Sequence, residues 1–235
     1  MTARKKTAIL ISGRGTNMRS LIQAAVENEY PAEITGVISN QADAPGLAAA
    51  ATLGISAIAL PRSDYDDKRA HEAAIERALA EQGAEIICLA GFMQMLSVDF
   101  VARWQGRLLN VHPSLLPLFK GLDTHSRALE SGMRVHGCSV HFVTSEMDDG
   151  PVIAQAAVPI LPDDTEETLR ERVLKEEHRL YPMALALVGS GRARMENGKT
   201  VYHTTEIGWG ERSSLHVPSS IEEIANLEDL ARRTP

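Results

Sequence analysis

The sequence predicts an α/β fold, built as a single domain around a mostly parallel, twisted sheet with helices on both faces. Three observations predict it. Apolar runs alternate with helical patterns through the first half of the chain. Those runs are continuously apolar, which is typical of parallel strands covered on both sides. Two later strands are joined by a short turn, which predicts an antiparallel pair toward the C-terminus.

The predicted elements follow in chain order. Strands are expected at residues 7–12, 34–39, 55–60, 85–90 and 108–112, and helices between them at 16–27, 47–53, 66–82 and 98–104. The antiparallel pair is 138–143 and 152–158. A long helix spans 165–188, with a cap and an acidic first turn at Asp163–Glu167. Residues 1–204 form the predicted domain, and 205–235 form an extension of unknown role with a short helix at 221–232.

Composition excludes several classes of protein. Of 235 residues, 44% are apolar and 23% charged, which is unlike a disordered chain or a collagen. The formal charge of −7 argues against a nucleic-acid partner. No apolar run reaches the roughly 20 residues of a membrane span, and the N-terminal run is too short for a signal peptide, so we predict a cytoplasmic protein. The two cysteines, Cys88 and Cys138, are expected to be buried and unreactive.

A glycine-rich turn between the first strand and the first helix is the first candidate site. Its sequence is Ser12-Gly13-Arg14-Gly15-Thr16-Asn17. Glycine permits close approach of a ligand, and free amides at a helix start bind anions. A nicotinamide dinucleotide is disfavoured, because Ser20 replaces the third glycine of its motif and no acidic residue closes the second strand. The turn suits a single phosphate, although it could be only a connection.

A second candidate site lies at the end of the fifth strand. Asn110 and His112 are two residues apart, so both side chains leave the same face of the strand. An amide beside an imidazole suits a carbonyl oxygen that gains negative charge. The acidic turn at residues 146–151 could place a carboxylate against His112, and the residues alone do not decide between Asp148 and Asp149.

Metal binding is not predicted. Three histidines, His125, His136 and His141, fall in one stretch, but they lack HExxH spacing and a nearby thiolate. Charged residues 175–178, including Glu177, fit the solvated face of the long helix.

Four motifs together resemble one enzyme family, the phosphoribosylglycinamide formyltransferases, which are folate-dependent transferases of purine biosynthesis and one-carbon metabolism. The resemblance covers roughly residues 6–198 and implies a Rossmann-like formyltransferase domain. The motifs, in order, are Ile11-Ser12-Gly13-x-Gly15-x-Asn17, Ala90-Gly91-Phe92-Met93, Asn110-x-His112-Pro113-Ser114-Leu115-Leu116-Pro117 and Asp148-x-Gly150-Pro151. Residues 121–125 and 177–182 resemble the glycinamide branch. The basic, aromatic continuation of methionyl-tRNA formyltransferases is not seen, and the six residues before the first strand leave no room for the regulatory domain of formyltetrahydrofolate hydrolases.

The resemblance implies a reaction and its catalytic residues. The amine of glycinamide ribonucleotide attacks the formyl carbon of the co-substrate 10-formyltetrahydrofolate. Asn110 and protonated His112 stabilise the oxyanion, His112 donates a proton, and Asp148 pairs with His112 and favours its charged form. No metal or redox cofactor is implied. A 10-formyltetrahydrofolate hydrolase and a non-catalytic nucleotide-binding module remain the alternatives.

The resemblance also implies where the two substrates bind. The phosphate sits on Gly15, Thr16 and Asn17, with Glu177 near the glycinamide or ribose. The folate is expected to contact Lys68, Met93, Gln94, Met95, Leu96 and Asn110. Two residues depart from the family pattern, since Gln94 stands where arginine is usual and Lys68 replaces a common arginine. The partners are these two small molecules, with no nucleic acid and no membrane, and the protein is expected to be a monomer or homodimer.

Overall fold

A computed structural model describes residues 3–203, and these form a seven-stranded sheet covered by helices. The strand order is β3-β2-β1-β4-β5-β6-β7. The strands are β1 Lys5–Ile11, β2 Ala32–Ser39, β3 Ala57–Ala59, β4 Ile86–Leu89, β5 Leu108–His112, β6 Val135–Phe142 and β7 Val152–Pro159. The predicted extension at 205–235, with its helix at 221–232, lies outside the described residues.

The directions of the strands confirm the predicted fold class. Strands β1 to β5 pair in parallel, and β6 pairs antiparallel with both β5 and β7. Because β1, β4 and β5 run the same way, their carboxyl ends meet at one edge of the sheet, which is where open α/β sheets bind ligands. The turns after these three strands therefore lie close together.

Within residues 3–203, six α-helices cover the sheet or lie at its edge. They are α1 Thr16–Ala25, α2 Pro45–Thr52, α3 Lys68–Glu81, α4 Val98–Arg103, α5 Thr124–Glu130 and α6 Glu166–Gly189. The start of α6 confirms the predicted cap, because the side chain of Thr165 accepts from the amide of Thr168 and Thr168 bonds back to the amide of Thr165. No helix among residues 3–203 is long and apolar enough to cross a membrane.

The core has two parts, one on each face of the sheet. On one face, Ile9, Leu109 and Val111 pack among the buried residues of α1 and α6. On the other face, Leu10 and Leu108 pack against α3 and α4. Both cysteines are buried, as predicted. Burial raises the pKa of the Cys88 and Cys138 thiols to about 12, so neither forms a thiolate near neutral pH.

Several elements differ from the sequence prediction. The third strand has three residues instead of six, because it pairs with β2 at only three positions, and residues 62–64 then form a 3-10 turn. Helix α5 was not predicted, since its seven residues are too few for a clear helical period. A hairpin of β8 Ala193–Glu196 and β9 Lys199–Tyr202 was also missed, although Asn197 and Gly198 form a turn with positive φ at both positions.

Candidate active site

Strand β5 brings Asn110 and His112 to the same face of the sheet, as the spacing predicted. Their neighbours Leu109 and Val111 point the other way, into the core. The Asn110 side chain faces a cavity of about 580 Å³, and the ring of His112 lies in its wall. His112 is only 6% exposed, so its ring is fixed by protein contacts more than by water.

Both ring nitrogens of His112 face acceptor oxygens. Nδ1 lies 3.4 Å from Oδ2 of Asp148, and Nε2 lies 2.9 Å from the carbonyl oxygen of Phe119. The same Oδ2 of Asp148 accepts a hydrogen bond of 2.9 Å from the amide of Gly121. An acceptor at each ring nitrogen holds the imidazole in one orientation.

The structure separates the two neighbouring carboxylates that the residues alone did not distinguish. Asp148 reaches His112, with its backbone in the left-handed region at φ 51°. The side chain of Asp149 is half exposed and pairs instead with Lys120. The positive φ at Asp148 turns the chain so that successive carboxylates point in different directions.

His141 is a neighbour of the site that the sequence reasoning missed, because it was considered only as a metal ligand. It stands directly opposite Asn110 in the β5–β6 pairing, and its Nε2 lies 3.2 Å from Nδ2 of Asn110. Burial lowers the pKa of His141, so the ring is neutral near pH 7. Its Nδ1 then donates to the carbonyl of Phe142, 2.9 Å away, and its Nε2 accepts from Asn110. This cross-strand pair orients the Asn110 amide.

The turn after β4 forms another wall of the same cavity. Residues Met93, Gln94, Met95 and Leu96 line it together with Asn110, His112 and Asp148. The side chains of Met93 and Met95 are largely exposed, at 75% and 57%. The cavity is therefore open to a large apolar ligand beside a polar centre.

Lys68 lies in an adjoining cavity of about 400 Å³, not in the larger one. This second cavity is lined by Asn40, Gln41, Arg62, Lys68, Met93 and Gln94, so Met93 and Gln94 border both. Gln94 is held at each end of its amide, with Oε1 3.3 Å from Nδ2 of Asn40 and Nε2 3.1 Å from Nδ1 of His71. The position where the family pattern has arginine is thus occupied by a fixed neutral amide.

The glycine-rich turn joins the first strand to α1 as predicted. Gly15 has φ 68°, and a Cβ built on it would lie 3.0 Å from Cε of Met18 and 3.3 Å from Cα of Gly46. The position therefore needs glycine for both conformation and space. The amides of the first turn of α1 have no partner within the helix. Hydrogen bonds from Ser12 to Gly91 and from Met93 to Ser12, of 3.1 and 2.7 Å, join this turn to the turn after β4.

Glu177 is buried and not on a solvated face, which corrects the interpretation of residues 175–178 from charge alone. It is 7% exposed, and its Oε2 accepts a hydrogen bond of 2.6 Å from Nδ2 of Asn17. Burial raises the pKa of Glu177, and the bond from Asn17 partly opposes that rise. The buried Oδ1 of Asn17 has no hydrogen-bond partner. Buried polar atoms nearly always have a partner, so this unsatisfied acceptor makes the start of α1 a candidate binding site.

Two further histidines lie at the rim of the site. His125 lines the large cavity, and its ring packs edge-on against that of His136 at 5.2 Å. Burial lowers the pKa of both to about 4, so both are neutral at physiological pH. Among residues 3–203, no three histidine, cysteine or acidic side chains gather as a metal-binding group.

At the carboxyl edge of this open α/β sheet, an amide and an imidazole from β5 meet a carboxylate from the turn between β6 and β7, an arrangement typical of acyl-transfer sites. Residues 5–185 match the family described as "Formyl transferase". The chain belongs to the formyl transferase family.

Known proteins agree with this assignment. The chain is 43% identical over 187 residues to a phosphoribosylglycinamide formyltransferase of Escherichia coli, a match covering 80% of this chain and 88% of that protein. A solved phosphoribosylglycinamide formyltransferase from Brucella melitensis is 54% identical, with a TM-score of 0.77, over 80% of this chain and 97% of the other. A chicken trifunctional purine biosynthetic protein, adenosine-3, is 48% identical over 84% of this chain. The chain spans about a fifth of the length of that protein and of several similar relatives.

Proposed function

We propose that this chain transfers the formyl group of 10-formyltetrahydrofolate to the amine of glycinamide ribonucleotide in de novo purine biosynthesis. The products are the N-formyl ribonucleotide and tetrahydrofolate. The observation that carries the proposal is the group of Asn110, His112 and Asp148 in the wall of one large cavity. The turn after β4, which borders this cavity, is hydrogen-bonded to the glycine-rich turn where the ribonucleotide would bind.

The proposed reaction is acyl transfer through a tetrahedral intermediate. The amine nitrogen forms a bond to the formyl carbon, and the formyl oxygen gains negative charge. The bond from that carbon to N10 of the folate then breaks, the amine loses a proton and N10 gains one. Asn110 and the imidazolium of His112 supply two donors for the oxyanion, which is the usual way of lowering such a barrier. No step requires a resident metal or redox group.

His112 must release one contact in order to act. Its Nε2 faces the carbonyl of Phe119 at 2.9 Å, while Nδ1 stays toward Asp148. We infer that the substrate oxygen replaces that carbonyl as the partner of Nε2–H when both substrates are bound. Asp148 keeps the ring oriented during the exchange, and the proton that N10 needs then comes from His112.

The ribonucleotide is assigned to the start of α1. Amides of Gly15, Thr16 and Asn17 face outward there, and a phosphate gains from the positive end of the helix. The unpartnered Oδ1 of Asn17 and the carboxylate of Glu177 are acceptors for ribose hydroxyls or for N–H groups of the glycinamide. A dinucleotide would find no carboxylate at the end of β2, where Ser39 and Asn40 stand.

The folate is assigned to the large cavity. Its pterin would pair with the backbone of Met93, Gln94, Met95 and Leu96, which line that cavity beside Asn110. Lys68, which lines the adjoining cavity, would contact the anionic tail. Gln94 cannot supply an ionic contact, so the tail is held with less charge than the family pattern provides. The cytoplasmic location and a monomeric or homodimeric state stay predictions.

Formyl transfer by the purified protein tests the proposal. The protein is mixed with 10-formyltetrahydrofolate and either glycinamide ribonucleotide, its dephosphorylated riboside, or no acceptor, and the formylated product and free formate are measured. We expect product with the ribonucleotide, much less with the riboside, and little formate without an acceptor. Formate release at the same rate without acceptor would identify a hydrolase. Binding of the ribonucleotide without any turnover would identify a non-catalytic module.

A further inference from the structure

The loop between β5 and α5 contacts both members of the His112–Asp148 pair. The carbonyl oxygen of Phe119 lies 2.9 Å from Nε2 of His112. Two residues later, the amide of Gly121 donates to Oδ2 of Asp148 at 2.9 Å, the oxygen that also faces Nδ1 of His112. Residues 119–122 thus set the position of the imidazole and of its carboxylate at the same time.

This loop has a backbone that needs support from outside. Phe119, Gly121 and Asp123 all have positive φ, at 52°, 79° and 56°. Glycine adopts such angles freely, but Phe119 and Asp123 do so at a cost of about 1 kcal/mol or more each. A conformation of this kind persists only where surrounding contacts determine it, and it would relax if they were lost.

Arg127 supplies those contacts from the last turn of α5. Its Nη1 donates to the carbonyl oxygens of Lys120 and Leu122, at 2.6 and 3.2 Å, on either side of Gly121. The guanidinium carbon also lies 5.4 Å from the centre of the Phe119 ring. One side chain therefore contacts three residues of the loop, through two charged hydrogen bonds and a cation–π contact.

We propose that Arg127 is a positioning residue for formyl transfer, acting through residues 119–122 on His112 and Asp148. The changes in turnover that we expect from this role rest on the proposed function. Arg127 itself is exposed and is not among the residues that line the cavity. Lysine keeps a charged donor but lacks the planar guanidinium that lies near the Phe119 ring.

Three variants test the proposal by steady-state kinetics. R127A should lower kcat about tenfold, because small displacements of catalytic groups are costly, while KM for either substrate changes less than about threefold. R127K should recover part of kcat. The control is R179A on α6, whose side chain is 77% exposed and bonds to Glu176, and it should match the unmodified protein. A kcat for R127A equal to that of R179A would overturn the proposal.

A double variant separates positioning from a general effect on the fold. If Arg127 acts through His112, R127A should cause no further loss of kcat in an H112A background. An equal loss in both backgrounds would overturn the proposal. Amide exchange is an activity-independent readout, and residues 119–123 should exchange at least about tenfold faster in R127A while β5 is unchanged. If exchange in R127A is unchanged, Arg127 does not position the loop, whatever the function of the protein. If exchange is faster in R127A but the unmodified protein transfers no formyl group, only the proposed function is refuted.

Discussion

Asn17 donates a 2.6 Å hydrogen bond to Glu177, although 160 residues separate them in the chain. The bond links the first turn of α1 to the middle of α6, and both residues are buried. It leaves the Oδ1 of Asn17 without a partner and holds a carboxylate whose pKa is raised by burial. A buried carboxylate and an unpaired amide oxygen both destabilise the folded state, and polar groups of this kind are typical of ligand sites.

Replacing Glu177 by glutamine should separate stability from binding. A raised pKa in the folded state means that the folded protein binds this proton more tightly than the unfolded chain. Stability is therefore lost as the pH rises from the ordinary pKa of a glutamate toward the raised one. We expect E177Q to have a Tm at pH 7.5 no lower than that of the unmodified protein, and a flatter dependence of Tm on pH. Its KM for glycinamide ribonucleotide should rise about tenfold or more, as for a lost charged hydrogen bond.

The neighbouring E176Q is the control for that experiment, since Glu176 pairs with Arg179 on the same helix. It should leave both the Tm profile and KM unchanged. A lower Tm for E177Q at every pH, with an unaltered KM, would mean that Glu177 serves the fold alone.

Substitution of Gly15 by valine should weaken ribonucleotide binding far more than folate binding. The side chain would be forced into positive φ and against Met18 and Gly46. Calorimetry should show the dissociation constant for glycinamide ribonucleotide raised about tenfold or more, as expected when charged hydrogen bonds to a phosphate are lost. The dissociation constant for the folate should change little. G13A is the control, because nothing lies within 4 Å of a Cβ at that position. Equal losses for both ligands would place the phosphate elsewhere.

The two adjacent carboxylates should differ in their effect on turnover. D148N replaces the charge that faces Nδ1 of His112, so the imidazolium loses its counter-ion and turnover should fall. D149N removes only an exposed pair with Lys120, worth about 1 kcal/mol at most, and should leave turnover nearly unchanged. A larger loss of turnover in D149N than in D148N would mean that Asp149, and not Asp148, is the partner of His112.

Lys68 should affect the folate and not the ribonucleotide. Its ammonium lies 3.9 Å from Glu72 and is partly exposed at the smaller cavity. K68A should raise KM for 10-formyltetrahydrofolate by about two- to fivefold, the size expected for an exposed charge contact, and the effect should shrink at high salt. R69A, next to it and outside that cavity, is the control. A change in KM for the ribonucleotide alone would remove Lys68 from the folate site.

Local periodicity was enough to predict the sheet and part of the site. Continuous apolar runs gave the parallel strands, and a spacing of two placed Asn110 and His112 on one face. The turn between β6 and β7 carried the carboxylate, but only the family resemblance chose Asp148. The choice depends on the positive φ of that residue, which its sequence neighbours do not reveal.

Contacts between distant segments could not be predicted in this way. His141 meets Asn110 because of the β5–β6 register, and Glu177 is buried because α1 packs on α6. Charge alone placed Glu177 on a solvated face, and no local pattern marks the loop at 119–122. The position of each of these residues depends on which helices and strands become neighbours, and local sequence patterns do not contain that information.

We propose that His112 carries the chemistry of formyl transfer, and turnover by H112A tests this role most directly. Single-turnover rates should be measured with both substrates bound, and binding of each checked by calorimetry. We expect both substrates to bind nearly as they do to the unmodified protein and the rate to fall about 10²–10⁴-fold, the range for a lost general acid. A rate within a factor of about three of the unmodified protein, with binding intact, would contradict the account.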